Sequence, residues 1–438
     1  MSLQPNYRVC KENDKFTANK QFTDREFYRE VFDHKIDNII GDSNASNKHY
    51  VLMYYGIAGV GKSSLLRQLR FDLLKKYKNA TYSTVDFRNK SFQDPARALF
   101  EVRNSFSEKV RFPHFDQAYS IYFKKKNPDL VPKVKNLPYE AEASILGSVI
   151  SAIDGFGIAG AITGIVSKLY GLINKLSIHK SIRASLKDLE EFNLPEIEER
   201  LPAYLAYDFQ VIKEKNSNSV NVIFLDTFDG LWECDFSEKN KYSKDSWIRE
   251  LIKAMPGVLF VICGRESLNW STLEPEWQDV LDQFNIECFD SSDAERFLLL
   301  CGIRESDIRE KIIQASSGHP YHLDLSVDTY VKLRNNSSYE IRPENFGSTR
   351  REILDRFIYN LDRTEVEALK TFSIARFYTD EIFVYLCHEF NLGLSRSEFG
   401  DFNRYSFISK QGVKYFLHTL MRDGLIFYID GEYRRAVH

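Results

Sequence analysis

Four stretches of the chain are short runs of apolar and β-prone residues, each followed at once by polar or glycine positions. They are 50–55 (YVLMYY), 80–87 (ATYSTVDF), 222–225 (VIFL) and 258–263 (VLFVIC). Parallel strands are buried on both faces and show such runs, whereas an amphipathic helix repeats its apolar positions about every 3.6 residues. The pattern predicts an α/β protein with a mostly parallel sheet that contains at least these strands.

The first run leads directly into GIAGVGKSS, which fits the pattern G-x-x-x-x-G-K-[ST]. A helix with leucines along one face follows, so the motif has the strand, loop and helix that it requires. Glycines let the backbone N–H groups surround phosphate oxygens at the helix N-terminus. Lys62 is predicted to reach the β- and γ-phosphates and Ser63 to ligate Mg²⁺. The alternative is an ordinary glycine-rich turn. The residues predicted to bind phosphate are Gly56, Gly59, Val60, Gly61, Lys62, Ser63 and Ser64.

Polar side chains follow two of the other runs. Asp226 ends VIFLD, and at the carboxyl edge of a parallel sheet it is predicted to hold the Mg²⁺ of Ser63. Asp229 is predicted to orient the attacking water or a sensing arginine. Arg265 follows VLFVICG and is predicted to detect the γ-phosphate, because bidentate hydrogen bonds to it exist only with ATP. The alternatives are a helix-capping role for each carboxylate and a surface ion pair for the arginine.

Composition narrows the class of protein. The chain has 438 residues, 43% hydrophobic and 28% charged, with a formal net charge of −3. These values are typical of a soluble globular protein and give no support to a broadly nucleic-acid-binding surface. The six cysteines include no C-x-x-C pair and the N-terminus lacks a signal-peptide core, so we predict a cytoplasmic protein. No Asn-Lys-x-Asp motif for guanine is present, which favours ATP and ADP as the nucleotides.

Residues 145–173 are rich in Gly, Ala and Ile. A spanning helix needs about 20 largely uncharged residues, but Asp154 and Lys168 bracket a shorter run. The prediction is an apolar helical hairpin, buried or facing a partner, and not a transmembrane span. Contact with a membrane surface is the weaker alternative.

Further motifs follow in a recognisable order. FTDRE (22–26), GIAGVGKSS (56–64), VIFLDTFDGL (222–231), VICGRE (261–266), SGHPYHL (317–323) and FLHTLMRD (416–423) together resemble the STAND class of P-loop ATPases, which includes the NACHT and NB-ARC groups. The resemblance covers residues from about 20 to 435. Asp24 replaces the usual glycine of the first motif, and the adjacent Asp-Glu pair of many NACHT members is absent.

The resemblance implies roles for three more residues and a domain plan. Arg25 would lie near the adenine, Pro320 would pack on it, and His418 would touch the β-phosphate of ADP. The implied segments are a tail (1–20), a P-loop domain (21–285) with an insert of about 110–205, a helical lid (286–348) and a winged-helix domain (349–438).

The resemblance also implies a function. ADP would lock the lid and winged helix onto the nucleotide domain, and ATP would open them and lead to a homo-oligomer, with slow hydrolysis resetting the switch. The context would be signalling such as bacterial defence against phage, with an effector or sensor on another chain. The alternative is a DNA-associated ATPase of the initiator or transposition-helper type. SKQGVKYFLHTLMRDG offers only Lys410, Lys414 and Arg422 for a recognition helix, so nucleic acid is not the favoured partner.

Overall fold

The computed structural model describes residues 25–42, 44–106, 111–126, 189, 191–213, 220–232, 238–335, 340–403, 405, 407–426 and 429. They form two compact units. The sheet unit contains Phe27–Tyr55 and Leu66–Asn285, and the loop–lid unit contains Gly56–Leu65, the chain from Ile286 onward, and Arg25 with Glu26. The predicted tail (1–20) and apolar hairpin (145–173) lie outside the described residues.

The sheet unit is built on five parallel strands in the order β2-β3-β4-β1-β5. The strands are β1 (Tyr50–Tyr55), β2 (Thr81–Asp86), β3 (Asn221–Asp226), β4 (Leu259–Gly264) and β5 (Leu281–Asn285). The predicted α/β fold class, a P-loop NTPase fold, is therefore confirmed. Sequence analysis did not assign β5, because it is an edge strand whose residues LDQFN mix polar and apolar positions.

Helices cover both faces of this sheet. Val51 and Met53 of β1 pack into a large core on one face, whereas Leu52 and Tyr54 are fully buried on the other, as the two-residue period of a strand requires. The helices that contribute to the first core are α3 (Pro95–Phe106), α4 (Pro113–Lys126), α5 (Leu194–Lys213) and α7 (Ser246–Ala254). Helix α1 (Glu26–Gly41) lies on the second face, where its aromatic residues contact those of the sheet. Helix α2 (Lys62–Lys76) begins in the phosphate loop. Two short helices, α6 (Glu238–Lys244) and α8 (Trp270–Leu273), flank β4 in the chain.

The loop–lid unit is mainly helical and has two hydrophobic clusters. The first cluster joins α9 (Ser291–Leu300), α10 (Ser306–Ser316) and α11 (Pro320–Asn335). The second contains the start of α11 and the remaining elements. These elements are α12 (Arg350–Tyr359), α13 (Arg363–Ile374), α14 (Asp380–Glu389), α15 (Phe399–Phe402), β6 (Ile408–Gln411), β7 (Lys414–Leu417) and α16 (Thr419–Ile426).

The C-terminal region differs in one respect from the sequence prediction. KYFL was placed with the helix, but it forms β7, which pairs antiparallel with β6 in a two-stranded hairpin. The helix α16 begins only at Thr419. Gly412, with φ of 57°, supplies the left-handed residue that the tight turn between the strands requires. Lys410 and Lys414 therefore lie on a hairpin and not on a recognition helix.

Among the described residues, no helix has the length and apolar character needed to cross a bilayer.

Candidate functional site

The phosphate loop joins β1 to α2. Gly59 (φ +78°) and Gly61 (φ +101°) adopt conformations that side-chain-bearing residues rarely adopt. The amide of Leu65 donates to the Gly61 carbonyl at 2.9 Å, which closes the first turn of α2. A Cβ atom added to Gly61 would meet nothing within 4 Å. The loop thus leaves open space beside a helix N-terminus, where an anion such as phosphate can bind.

The motif side chains occupy the loop and the first turn of α2. Lys62 Nζ donates to the carbonyls of Gly56 (2.6 Å) and Ile57 (2.9 Å), which are the backbone of its own loop. Val60 is fully buried, and Ser63 and Ser64 are half-buried. An ammonium that donates to carbonyls makes stronger bonds when it donates to the charged oxygens of a phosphate instead.

Arg25 is buried against this loop. Its Nη2 donates to the carbonyls of Val60 (3.1 Å) and Glu287 (2.9 Å), and its guanidinium lies 4.8 Å from the centre of the Phe289 ring. The arginine therefore connects the phosphate loop to the segment that leads into α9. The structure places Arg25 beside the phosphate loop, and its role near the adenine stays a prediction.

The start of α11 lies directly on Gly59. His319 Nε2 donates to the Ala58 carbonyl at 3.0 Å, and the Tyr321 amide donates to the Gly59 carbonyl at 3.2 Å. Pro320, the first residue of α11, stands between these two contacts, where its missing N–H leaves no donor unsatisfied. Sequence analysis singled out only the proline, so it missed both residues that touch the loop.

The start of α16 completes this arrangement. The His418 ring stacks on the Tyr321 ring with centroids 4.7 Å apart, and His418 Nδ1 accepts the Leu420 amide at 3.2 Å. A Cβ atom added to Gly59 would lie 3.0 Å from Leu420 Cδ1. One glycine of the phosphate loop is therefore enclosed by residues from α11 or the residue before it and from α16.

Burial makes the histidines at this contact poor bases. Desolvation, assisted by the positive charge of Arg350, lowers the pKa of His319 to about 4. Desolvation and the nearby His319 lower the pKa of His322 to about 3. The Nδ1 atoms of both rings are buried without a hydrogen-bond partner. Both rings are therefore neutral near pH 7, and His319 acts as a neutral donor to the loop.

The carboxyl edge of the sheet is acidic. Asp86 at the end of β2 pairs in register with Asp226 at the end of β3, and Asp226 is 7% exposed. Thr227, with φ of 55°, turns the chain sharply, and its amide donates to Asp226 Oδ1 at 2.8 Å. A carboxylate fixed in this way at the end of a central strand has the chemistry to hold a divalent cation.

Asp229 and Arg265 form an ion pair at the same edge. Arg265 Nε lies 3.1 Å from Asp229 Oδ2, and the Arg265 amide donates to Oδ1 at 3.2 Å. About half of the arginine side chain (53%) is exposed. Asp229 is therefore in contact with the arginine, and both roles predicted for it stay predictions.

Arg88 was missed from the sequence. It follows β2 by two residues and binds Asp86 through Nε (3.0 and 3.1 Å to the two oxygens) and Nη2 (2.6 Å). The negative charges of Asp86 and Asp226 raise its pKa against the opposing effect of desolvation. The segment DFRN carried the signal, since its arginine follows a strand-ending aspartate, as Arg265 follows a strand-ending glycine.

The chain matches no protein-family model and no curated protein. Its fold is similar to a solved structure of the Aeropyrum pernix ORC2 protein with ADPNP and ADP, with 9% identity and a TM-score of 0.42 over 98% of this chain and 97% of that chain. It is also similar to the structure of Cdc6p from Pyrobaculum aerophilum, with 12% identity and a TM-score of 0.38 over 96% of each chain. A third is the Aeropyrum pernix ORC1 protein in complex with DNA (13% identity, TM-score 0.38, 95% of each).

The comparison corrects the prediction about partners. Nucleic acid was not favoured, because the chain has a net charge of −3 and few cations in the expected recognition helix. One of the similar structures is that of a protein bound to DNA, so this ranking was wrong. Nucleic-acid contacts are made by local patches, so neither the net charge nor the count of cations in one predicted helix excludes them.

Proposed function

We propose that this protein is an ATP-binding P-loop ATPase of the DNA-associated initiator type, in which the bound nucleotide controls the lid and the C-terminal hairpin region. The observation that carries the proposal is the enclosure of Gly59 by His319 and Tyr321 of the lid and Leu420 of α16. A loop that changes its hydrogen bonds when phosphate binds must change these contacts as well. The nucleotide then makes different contacts in two conformations of the phosphate loop and the helices packed on it. A ligand shifts a conformational equilibrium only through such a difference.

The sites within this proposal follow from the chemistry of each group. Lys62 and the loop amides bind the phosphates, Arg25 and Pro320 border the base, and Ser63 with Asp226 hold Mg²⁺. When bound, the metal neutralises phosphate charge and polarises the bond that hydrolysis breaks. Asp229 orients Arg265, which detects the γ-phosphate, and His418 detects the β-phosphate through its stack on Tyr321.

The DNA part of the proposal is supported by the β6–β7 hairpin. Lys410 is exposed on β6, and Lys414 of β7 lies with its Nζ 4.2 Å from the centre of the Phe377 ring. Tyr378 pairs with Tyr415 of β7, which brings the exposed Arg376 alongside this hairpin. Cations on a hairpin suit phosphate backbones, and binding would weaken as salt rises.

The ATPase half is tested by measuring ATP hydrolysis and nucleotide affinity for the wild type and Lys62→Ala. The variant is expected to lose nucleotide affinity by at least about tenfold, because it loses a charged hydrogen bond worth about 1.5–3 kcal/mol. Equal affinity of both proteins for ADP and for a non-hydrolysable ATP analogue would contradict the proposal.

The DNA half is tested by fluorescence polarisation with a labelled duplex at several salt concentrations. Lys410→Glu/Lys414→Glu is expected to weaken DNA binding. It should also lower the slope of log affinity against log salt concentration by about one to two, because fewer counterions are released. Lys311→Glu/Lys370→Glu is the control, since it changes the net charge equally at sites outside the hairpin. DNA binding that is absent, or equally reduced in both variants, would exclude the hairpin as the interface.

A second candidate is the STAND-type signalling switch. It is favoured by the contact of His418 with Tyr321, next to Pro320, because the histidine and proline motifs of that class then act on one phosphate loop. This candidate requires nucleotide-dependent opening but no DNA. Opening that persists in a protein with no measurable DNA affinity would favour it over the initiator type.

A further inference from the structure

The exposed face of α14 has apolar residues in its middle and carboxylates at both ends. Its exposed positions recur with the three- and four-residue spacing of one helix face, and they are Glu381, Val384, Tyr385, His388 and Glu389. Tyr385 is 63% exposed and Val384 is 39% exposed. The outward face of a surface helix is normally polar, so this apolar pair indicates a contact surface.

The chain around this face is acidic. Residues 380–398 contain four carboxylates and one arginine. The arginine, Arg396, forms an ion pair with Asp380 and so compensates only one of these charges. Glu381 and Glu389 form no ion pair with other described residues. The apolar pair of α14 therefore lies between two negative charges that a cationic partner could approach.

The β6–β7 hairpin shows the opposite pattern. Val413 lies at its tip and is 73% exposed. Lys410 lies opposite Tyr415, and Lys414 belongs to the next cross-strand pair towards the turn. Successive pairs point to opposite faces of a hairpin, so one lysine lies on each side of the tip. Residues 408–417 contain these two lysines and no carboxylate.

The two surfaces are complementary in charge and in the order of their residues. On α14 a carboxylate precedes and follows an apolar pair, and on the hairpin a lysine flanks the apolar tip on each side. Within the described part of one chain, no ion pair joins the two surfaces. Two different, complementary surfaces on one chain can make a heterologous contact between copies.

We propose that the exposed face of α14 binds the tip of the β6–β7 hairpin of a second copy of this chain. The apolar tip packs on Val384 and Tyr385, while the lysines beside it face the carboxylates of α14. The contact is small and its charges are exposed, so the association is weak and falls as salt rises. This inference goes beyond the proposed function and requires neither nucleotide nor DNA binding. Because the proposed DNA contact uses the same lysines, DNA competes with the second copy.

The test measures self-association by sedimentation velocity over a range of protein concentrations at low and at high salt. Glu381→Lys/Glu389→Lys reverses the charge of one surface, and Lys410→Glu/Lys414→Glu reverses that of the other. Each variant alone is expected to lower the association constant at least about tenfold, because like charges then meet across the contact. An equimolar mixture of the two variants should associate again, since each reversed surface meets its complement on the other variant.

Matched controls separate this contact from general effects of charge and exposed apolar area. Glu310→Lys/Glu344→Lys changes the net charge by the same amount at exposed sites outside α14 and should leave the association unchanged. Tyr385→Ser removes an apolar contact without a change of charge and should weaken the association. Tyr359→Ser removes a tyrosine of α12 that is 81% exposed and should have no such effect.

The outcomes separate this inference from the proposed function. A wild type that stays monomeric at low salt overturns the inference, even if it binds DNA. A mixture of the two reversed variants that associates no better than either alone also overturns it. Self-association in a protein without DNA affinity contradicts only the initiator proposal. Circular dichroism establishes that each variant is folded, and if the α14 reversal is not, the comparison of Tyr385→Ser with Tyr359→Ser decides, where equal association contradicts the inference.

Discussion

Gly59 is the residue of the phosphate loop that both α11 and α16 approach. A Cβ atom there would lie 2.8 Å from His319 Cε1 and 2.9 Å from Tyr321 Cβ, and its φ is +78°. Sequence analysis explained this glycine by phosphate binding alone. The structure adds a second reason, which is the close approach of two side chains, and a substitution can separate the two.

We predict that Gly59→Ala destabilises the protein more than Gly61→Ala does, in the absence of nucleotide. Both variants place a side chain at positive φ, which costs about 1–2 kcal/mol, but only the first also collides with neighbours, which costs about 1–3 kcal/mol more. Thermal or denaturant unfolding measures the difference. Equal unfolding free energies would mean that the contacts of His319 and Tyr321 with Gly59 do not affect stability.

The second prediction concerns pH and His319. Its pKa in the folded protein is about 4, lowered by burial and by Arg350, whereas the unfolded value is 6.5. Between these values the unfolded chain binds a proton that the folded one does not, so stability is fully present above about pH 6.5 and falls as the pH drops towards 4. The loss is at most a few kcal/mol, since one pKa unit corresponds to about 1.4 kcal/mol.

Denaturant unfolding between pH 8 and pH 4.5 tests this prediction. His319→Gln keeps an N–H donor for the Ala58 carbonyl but cannot titrate, so its stability is expected to fall less steeply than that of the wild type. His388→Gln, at an exposed position of α14, is the control for removing a histidine. A slope in His319→Gln identical to the wild-type slope would contradict the assignment.

Among the elements, α11 is placed by the residues before it. Ser317 (φ 52°) and Gly318 (φ +68°) end α10 with two left-handed residues, and the Gly318 carbonyl accepts the Phe289 amide at 2.9 Å. This turn delivers His319 and Tyr321 to the phosphate loop. The SSGHP sequence indicated a break between helices, but not which side of α11 would face the loop.

The element prediction is that Gly318→Ala displaces α11, whereas Gly393→Ala does not. Both glycines have φ of +68°, so the backbone strain is matched. A Cβ on Gly318 would lie 2.0 Å from the Phe289 carbonyl oxygen, while one on Gly393 would meet Thr364 Cγ2 at an ordinary 3.5 Å. We expect Gly318→Ala to cost at least about 2 kcal/mol more in unfolding free energy, and to weaken nucleotide binding. Similar losses in both variants would show that strain alone matters.

For the whole molecule, the contacts at Gly59 predict that nucleotide alters α11 and α16 together. Hydrogen–deuterium exchange should change in peptides that cover 316–324 and 415–423 when ADP is replaced by a non-hydrolysable ATP analogue. Lys62→Ala should abolish both changes, and His418→Ala should abolish the second while leaving the first. Independent responses of the two peptides in the wild type would contradict this coupling, because a shared loop cannot signal to them separately.

The local pattern of the sequence was enough to predict four of the five strands and the phosphate loop, and to place Asp226 and Arg265 directly after strands. These features depend on local patterns, namely apolar runs buried on both faces and glycines at fixed spacing. It did not reveal β5, the β6–β7 hairpin, Arg88, His319 or Tyr321. The residues of β5 mix polar and apolar positions, and a side chain that contacts a distant loop leaves no periodic signal. These features depend on strand order and helix docking, which bring together residues that are far apart in the chain.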